Sequence, residues 1–450
     1  LKGKSVAVVG IGVSNRPLIE LLLDAGIKVT ACDKTPRERF GKFARELEER
    51  GVKLQLGEGY LDELDQDVIF RTPGIRPDIP EFIRAKKNHG SVVTSEMEVF
   101  FKVCPCKIIA VTGSDGKTTT TTIIAELLKA EGYGVYLGGN IGRPLLNKAG
   151  EMRPEDIAVL ELSSFQLMQM KKSPKIAVVT NVSPNHLDVH KSMEEYVQAK
   201  RNIMAYQHVG DTLVLNADNE IAAGLADGAK ADVLYFSRNI RPENGFFLDA
   251  GTIFEARDGK YEPVMEENHI FLPGIHNVEN FMAAFAAVRR LVSHETMERV
   301  ARDFKGVAHR IEFVREKDGV KFYNDSIASS PTRTIAGLRS FDKKVILIAG
   351  GKDKGVPFDA LGVEIIKRVK RLFLTGLTAE KIKAAVCNSP QYAGVPEITV
   401  IEDFEKTVRA AAKAAEGGDI VLLSPACTSF DKFKNFEERG ELYKNIVKEL

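Results

Sequence analysis

The segment Thr112-Gly113-Ser114-Asp115-Gly116-Lys117-Thr118 sets two glycines, a lysine and a threonine at a spacing suited to phosphate chemistry. Glycines let successive backbone N–H groups converge on phosphate oxygens, and a helix N-terminus adds partial positive charge. Lys117 can then reach β- and γ-phosphates, and the Thr118 hydroxyl can ligate Mg²⁺. The full Walker pattern wants a further glycine at the position held here by Val111. The context is nonetheless right, because the loop lies between the apolar run Ile108-Ile109-Ala110-Val111 and a helical pattern over Thr118–Ala130. A plain strand-to-helix turn is the alternative.

Two more groups stand where strands are expected to end. Glu161 closes one strand and leads into Leu162-Ser163-Ser164-Phe165-Gln166. His186 follows another in Asn181-Val182-Ser183-Pro184-Asn185-His186-Leu187-Asp188. Open α/β sheets collect ligands at the carboxyl ends of their strands, and a carboxylate there suits a hard cation such as Mg²⁺. Taken singly, each has an ordinary structural role as its alternative. Lys200, in Tyr196-Val197-Gln198-Ala199-Lys200, reads from pattern alone as one more exposed helix lysine. His276-Asn277-Val278-Glu279-Asn280 opens a helix, for which Asn277 is a candidate cap.

The elements that must position these groups are short and apolar. Three runs end in glycine turns: Lys4–Val9 into Gly10-Ile11-Gly12, Ile108–Val111 into the loop above, and Val345–Ala349 into Gly350-Gly351. Runs of this kind fit strands covered on both faces, hence parallel sheets. Further strands are expected at Ile27–Asp33, Asp67–Thr72, Ile157–Leu162, Ile176–Asn181, Leu372–Thr375, Ile398–Ile401 and Ile420–Ser424, with helices such as Thr118–Ala130 and Glu279–Val292 between many of them. From about residue 230 to 272 short apolar pairs alternate with Asn, Gly and Asp, which predicts antiparallel hairpins. Boundaries near residues 95 and 306 then give three α/β domains: 1–95, 96–306 and 307–450. Gly10-Ile11-Gly12-Val13-Ser14-Asn15, with Asp33 downstream, has the form of a dinucleotide fingerprint with Asn15 in place of the third glycine.

Composition bounds the reading. A chain of 450 residues suggests about two to four domains, and 44% apolar with 28% charged residues is ordinary for a globular enzyme. The formal net charge of +1 advertises neither nucleic acid nor a membrane surface. No run approaches the roughly 18 apolar residues of a membrane span. The cysteines at positions 32, 104, 106, 387 and 427 have no redox or zinc spacing and read as reduced thiols of a cytoplasmic protein. The chain opens on Leu1 rather than Met, which leaves room for a few residues ahead of it, and shows no secretory apolar segment.

The shortened Thr-Gly-x-x-Gly-Lys-Thr loop is similar to that of the Mur ligase and folylpolyglutamate synthetase superfamily, which activates a carboxylate as an acyl phosphate and condenses it with an amine. With Glu161 and His186 it resembles the Mur ligase central domain. That resemblance implies an N-terminal Rossmann-like domain, a central P-loop ATPase-like parallel sheet with a small antiparallel portion, and a C-terminal Rossmann-like domain. It implies ATP contacts at Gly113, Ser114, Asp115, Gly116, Lys117, Thr118, Thr119, Asn277, Asn280, Arg310 and Asp325. Metal ligands would be Thr118, Glu161, His186 and a carbamylated Lys200, with Lys117, His186 and Lys200 as the catalytic groups. Carbamylation is chemically reasonable, since only a neutral amine adds CO₂ and burial lowers a lysine pKa. Ile327 stands where the family often has lysine.

The stretch from Leu423 to Gly440, with Ser424-Pro425-Ala426-Cys427-Thr428-Ser429-Phe430 at its head, closely resembles the D-glutamate-adding branch. No Asp-Asn-Pro-Arg motif of the diaminopimelate- and lysine-adding branch is present. Ser429, Phe430 and Phe436 would then surround D-glutamate, and Ser329 and Lys354 would bind its side-chain carboxylate. The UDP sugar would be held by Val13, Ser14, Lys34, Thr35, Gly74, Asn140, Gln166 and His186. The implied reaction is ATP- and Mg²⁺-dependent ligation of D-glutamate to UDP-N-acetylmuramoyl-L-alanine, a step toward bacterial cell wall, by a cytoplasmic monomer without membrane insertion or nucleic acid. The other readings are a folylpolyglutamate synthetase, a non-catalytic nucleotide switch and an NAD-dependent oxidoreductase. The last leaves the Lys117 loop idle.

Overall fold

A computed structural model describes the chain except for Lys2, Val13, Ser14, Gly142, Arg143, residues 185–189 and Lys354. Three sheets carry the described elements. The first takes β1 (Val6–Val9), β2 (Val29–Asp33), β3 (Lys53–Leu56), β4 (Val68–Arg71) and β5 (Val92–Thr94) in the order β3-β2-β1-β4-β5. All of its pairings are parallel. Order reverses at β1, so the turn after β1 faces the end of β4. Gly10 sits there at φ +88°, and a Cβ on it would lie 2.7 Å from Thr72 Cγ2. Only glycine fits.

The second sheet contains β6 (Lys107–Thr112), β7 (Val135–Gly139), β8 (Ile157–Glu161), β9 (Ile176–Val179), β10 (Thr212–Asn216), β11 (Asp232–Ser237), β12 (Gly245–Asp249), β13 (Thr252–Arg257) and β14 (Lys260–Glu266). Its order is β14-β13-β12-β11-β10-β9-β6-β8-β7. The hairpin expectation for residues 230–272 holds for β12-β13-β14 but not for β11, which continues the parallel sheet on β10 and pairs parallel with β12. Val233, Tyr235 and their alternating neighbours gave a half-buried pattern, which marks a strand without marking its direction. β6 lies between β9 and β8, and the order reverses around it, so the loop after β6 occupies a topological switch point.

The third sheet has the order β15-β16-β20-β17-β18-β19, built from β15 (Glu312–Lys317), β16 (Val320–Asn324), β17 (Val345–Ala349), β18 (Val369–Leu374), β19 (Glu397–Val400) and β20 (Ile420–Leu423). Only β15 runs antiparallel to its neighbour. β17 and β20 are buried along their whole length, as continuous apolar runs covered on both faces should be.

The helix Lys117–Glu131 begins at Gly116 and ends at Gly132, both left-handed, as caps that no side chain obstructs. The other expected helix runs over Ile275–Val288 rather than Glu279–Val292, and Val292 closes a turn on Val288 O. A further helix, His294–Asp303, follows it. The residues form two compact units: Leu1–His269 with Val278–Arg302, and Ile270–Asn277 with Asp303–Leu450. In the first unit one apolar cluster joins Ile11, Leu18 and Leu22 to Met97, Phe100, Leu145 and Leu146, so the first two sheets share a core.

Candidate active site

The phosphate loop is held from behind. Gly113 (φ +151°) leaves no room for a side chain: a Cβ would meet Thr180 Oγ1 at 1.9 Å. Thr180, just past β9, donates to Asp115 O at 2.6 Å, and Asp115 N–H donates to Asn181 Oδ1 at 2.9 Å. Ser114 is buried, with its hydroxyl 3.0 Å from both Ser183 O and the Tyr196 hydroxyl. Lys117 Nζ donates to Ser114 O at 2.7 Å, across the loop it terminates. Thr119 stands half-buried on the first turn of the same helix. Gly116 packs against Asn280, whose Oδ1 also accepts from Thr120 Oγ1 at 3.2 Å. Asn280, expected among the ATP contacts, therefore touches the loop itself.

Oxygen-bearing side chains gather at the next strand end. Glu161, the last residue of β8, is buried. Its Oε2 accepts from Thr118 Oγ1 at 2.6 Å and its Oε1 from Asn140 Nδ2 at 2.7 Å. Asn140, expected on the UDP-sugar path, is thus brought onto the same carboxylate. Lys200 is buried too, contrary to its reading from helix pattern alone. Its Nζ donates to Gly113 O at 2.7 Å and lies 4.5 Å from the Tyr196 ring centroid. Burial, with Lys117 nearby, pulls its ammonium down to about 7. His186 lies outside the described residues. Gln166 serves locally: its Oε1 accepts from Ser163 N–H at 2.9 Å, completing a capping box at the helix Ser164–Leu167.

On the first sheet, Val13 and Ser14 lie outside the described residues. Lys34 is exposed, Thr35 is half-buried and Gly74 is exposed on the turn after β4. Asp33, the acid of the apparent dinucleotide fingerprint, accepts from Ile11 N–H at 2.7 Å and from Thr35 N–H at 2.8 Å. Its carboxylate staples the glycine turn. Asn15 is buried and donates to Gly10 O at 2.9 Å, so its amide closes the turn where a third glycine was expected.

The second unit carries its own cluster at the carboxyl ends of β16, β17 and β20. Asp325 is buried, accepts from Ser424 Oγ at 2.7 Å and from Ile311 N–H at 3.3 Å. Burial pushes its carboxyl up to about 7, opposed by the Ser424 hydrogen bond and by Arg310. Arg310 is flanked by His309 (φ 62°) and Ile311 (φ 45°), left-handed conformations that cost energy outside glycine. His309 N–H donates to Glu312 Oε2 at 2.8 Å, which helps hold the bend. Asn277 stands in the first turn of the helix Ile275–Val288, and its Nδ2 donates to Pro273 O at 2.7 Å.

Ser329 is half-buried and its N–H donates to Ile327 O. Ser429 is buried, Phe430 is 63% exposed, and Phe436 accepts from Ser326 Oγ through its carbonyl at 2.8 Å. Lys354 lies outside the described residues; Gly351 and Lys352, ahead of it, pack against the loop after β20. Lys352 N–H donates to Thr428 O at 2.9 Å, and a Cβ on Gly351 (φ +149°) would lie 2.3 Å from that same carbonyl. Sequence reading missed Arg439, buried on the last helix, which donates to Ser326 O at 2.8 Å and Cys427 O at 3.2 Å and so ties the loops after β16 and β20 together. It missed Tyr196 as well, although a tyrosine one turn before Lys200 shares its helix face, a signal that was in reach.

Fold and loop together define an α/β protein with a phosphate loop at the switch point of its central sheet. Residues 111–288 match the Mur ligase middle domain and residues 309–427 the Mur ligase glutamate ligase domain. The chain is 55% identical to the UDP-N-acetylmuramoylalanine–D-glutamate ligase of Acetivibrio thermocellus, over 100% of this chain and 97% of that protein. It is 53% identical to the ligase of the same name from Clostridium novyi, over 100% and 98%. The crystal structure of UDP-N-acetylmuramate-alanine ligase MurC from Thermotoga maritima shares the fold, with a TM-score of 0.61 at 18% identity over 99% of each chain. This chain belongs to the Mur ligase family. Among the described residues, no helix is long and apolar enough to cross a membrane.

Proposed function

We propose that this enzyme joins D-glutamate to UDP-N-acetylmuramoyl-L-alanine at the expense of ATP, as a cytoplasmic monomer supplying cell-wall precursor. The observation that carries the substrate assignment is the full-length identity to two ligases named for that reaction. Three domains, bounded near residues 95 and 306, divide the work in this reading: UDP sugar on the first, ATP on the second, D-glutamate on the third.

The L-alanyl carboxylate attacks the γ-phosphorus and ADP leaves. The D-glutamate amine then attacks the acyl carbon, and phosphate departs from the tetrahedral intermediate. The loop amides of residues 113–118 and Lys117 would hold the phosphates and stabilise charge on the transferring group. Thr118 and Glu161 offer a hydroxyl and a carboxylate, a donor set that suits Mg²⁺, with His186 as a further ligand. When bound, Mg²⁺ supplies charge neutralisation at the phosphates. A buried Lys200 held near neutrality is chemically ready to take up CO₂, and its carbamate would add an oxygen ligand. Asn277, Asn280, Arg310 and Asp325 would hold the nucleotide. Val13, Ser14, Lys34, Thr35, Gly74, Asn140, Gln166 and His186 would line the path of the UDP sugar to the reacting carboxylate. Ser329, Lys354, Ser429, Phe430 and Phe436 would receive D-glutamate.

Phosphate release measured with UDP-N-acetylmuramoyl-L-alanine, and separately with a folate acceptor, tests this. Turnover should require that acceptor, ATP and D-glutamate together. Turnover with folate and L-glutamate instead would move the enzyme to the folylpolyglutamate branch.

A further inference from the structure

The end of β4 and the segment after it are fastened to elements that flank the second sheet by two arginines that the chemistry above does not use. Arg71, the last residue of β4, is 1% exposed. Its guanidinium donates to Ile75 O at 3.1 Å and Pro73 O at 3.5 Å. Its other edges donate to Phe165 O and Gln169 Oε1, both at 3.3 Å. The turn bearing Gly74 is thereby held against the helix Ser164–Leu167, which follows Glu161. Arg76 then makes two hydrogen bonds to Glu195, at 2.9 and 2.7 Å, and two to Asp78, at 2.8 and 2.9 Å. Lys191 closes the ring. Its Nζ donates to Asp78 Oδ2 at 2.8 Å and its backbone N–H to Glu195 Oε2 at 2.7 Å.

Glu195 stands in the first turn of the helix Met193–Arg201, the helix that carries Lys200. His190 fills the space between the two fastenings: its Nε2 is 2.9 Å from Ser164 Oγ, its ring stacks on Phe165, and its edge meets Tyr196. An isolated surface ion pair contributes little. This one is bidentate on both partners, and the Arg76 side chain is only 19% exposed, so its charge-assisted bonds are geometrically specific. The network runs without a break from the Gly74 turn to the helix of Lys200.

We propose that Arg76 is a positioning residue: through Glu195 it couples acceptor binding at the Gly74 turn to the placement of Lys200 beside the phosphate loop. The inference rests on the acceptor reading of that turn given above. A guanidinium that merely stabilised the fold would shift all kinetic constants, or none.

Kinetics of the full chain carrying R76A, R76K, E195Q and the R76A/E195Q pair, read beside hydrogen exchange, decide it. R76A should raise the KM for UDP-N-acetylmuramoyl-L-alanine by about tenfold or more, the effect of one lost charge-assisted bond, while the ATP KM moves less than about twofold. R76K should recover only part, because an ammonium cannot reproduce two forked contacts. The double variant should be no worse than R76A. Exchange should quicken together in residues 72–78 and 190–200 of R76A. Equal shifts in the acceptor and ATP constants, additive single effects, or quickening confined to 72–78 would overturn the coupling. A wild-type chain inert toward this acceptor would instead sink the functional reading, and the exchange result would still decide the coupling.

Discussion

Lys200 lies one helical turn beyond Tyr196, with its Nζ against Gly113 O and over the tyrosine ring. Burial is the main reason its ammonium is pulled down to about 7 from the ordinary 10.5. The sign follows. Because the folded form prefers the neutral amine, Lys200 favours folding fully above about pH 10.5, and that contribution is lost as pH falls toward 7. The neutral amine is also the form that adds CO₂. Bicarbonate-dependent activity after CO₂ stripping should therefore rise with pH and level off just above 7. A midpoint near 10 would mean that the amine is not depressed. Lys200→Ala should lose about a hundredfold or more in kcat, the scale of a lost transition-state electrostatic contact, with no rescue by bicarbonate. Acetate should restore a fraction by supplying the missing oxygen. An active, metal-loaded enzyme with unmodified Lys200, seen crystallographically, would refute the carbamate.

Between β6 and its helix, the loop keeps its shape because β9 leaves no space behind it. Gly113→Ala puts a methyl 1.9 Å from Thr180 Oγ1 and 3.1 Å from Asn181 O, at a φ that side chains avoid. The loop must shift, and a displacement of about 1 Å at a reacting site costs about a hundredfold in rate. Activity should fall by that order while the melting temperature changes little. Adding Thr180→Ala should recover part of the loss, since the nearest clash goes; no recovery would locate the damage in the backbone strain alone. One strand over, Ser163→Ala removes a capping box and should cost about 1 kcal/mol in denaturant unfolding. A larger loss would show that Gln166 does more than cap.

In the proposed chemistry the nucleotide residues fall on both compact units and the D-glutamate residues on the second alone, so the two ligands should leave different marks. A non-hydrolysable ATP analogue should slow amide exchange in residues 112–120 of the first unit, where nucleotide and loop amides meet. D-glutamate should slow it around residues 326–330 and 424–436 of the second. Protection by D-glutamate confined to the first unit would displace Ser329, Ser429 and Phe436 from the amino-acid site. Binding stabilises whatever it touches, in proportion to the logarithm of ligand over Kd, so the map is read at saturating ligand.

Much of this architecture was legible along the chain. Buried strands announce themselves as short apolar runs, and the expected strands appear with ends displaced by up to three residues. Gly113, Gly116 and Lys117 sit between such a run and a helix, so the loop could be found from neighbours alone, and Glu161 could be placed because it ends a strand. Lys200 could not. The helix Met193–Arg201 is polar on most of its surface, and the lysine is buried by the Gly113 loop, 87 residues earlier. Likewise nothing near Asp33 says that both its oxygens are taken by backbone N–H groups, and nothing near Arg76 says that Glu195 waits for it. Strand, turn and helix follow from residues adjacent in sequence, through apolar periodicity and backbone sterics. Partners for buried charges come from wherever the topology returns the chain, and only the folded sheets decide that.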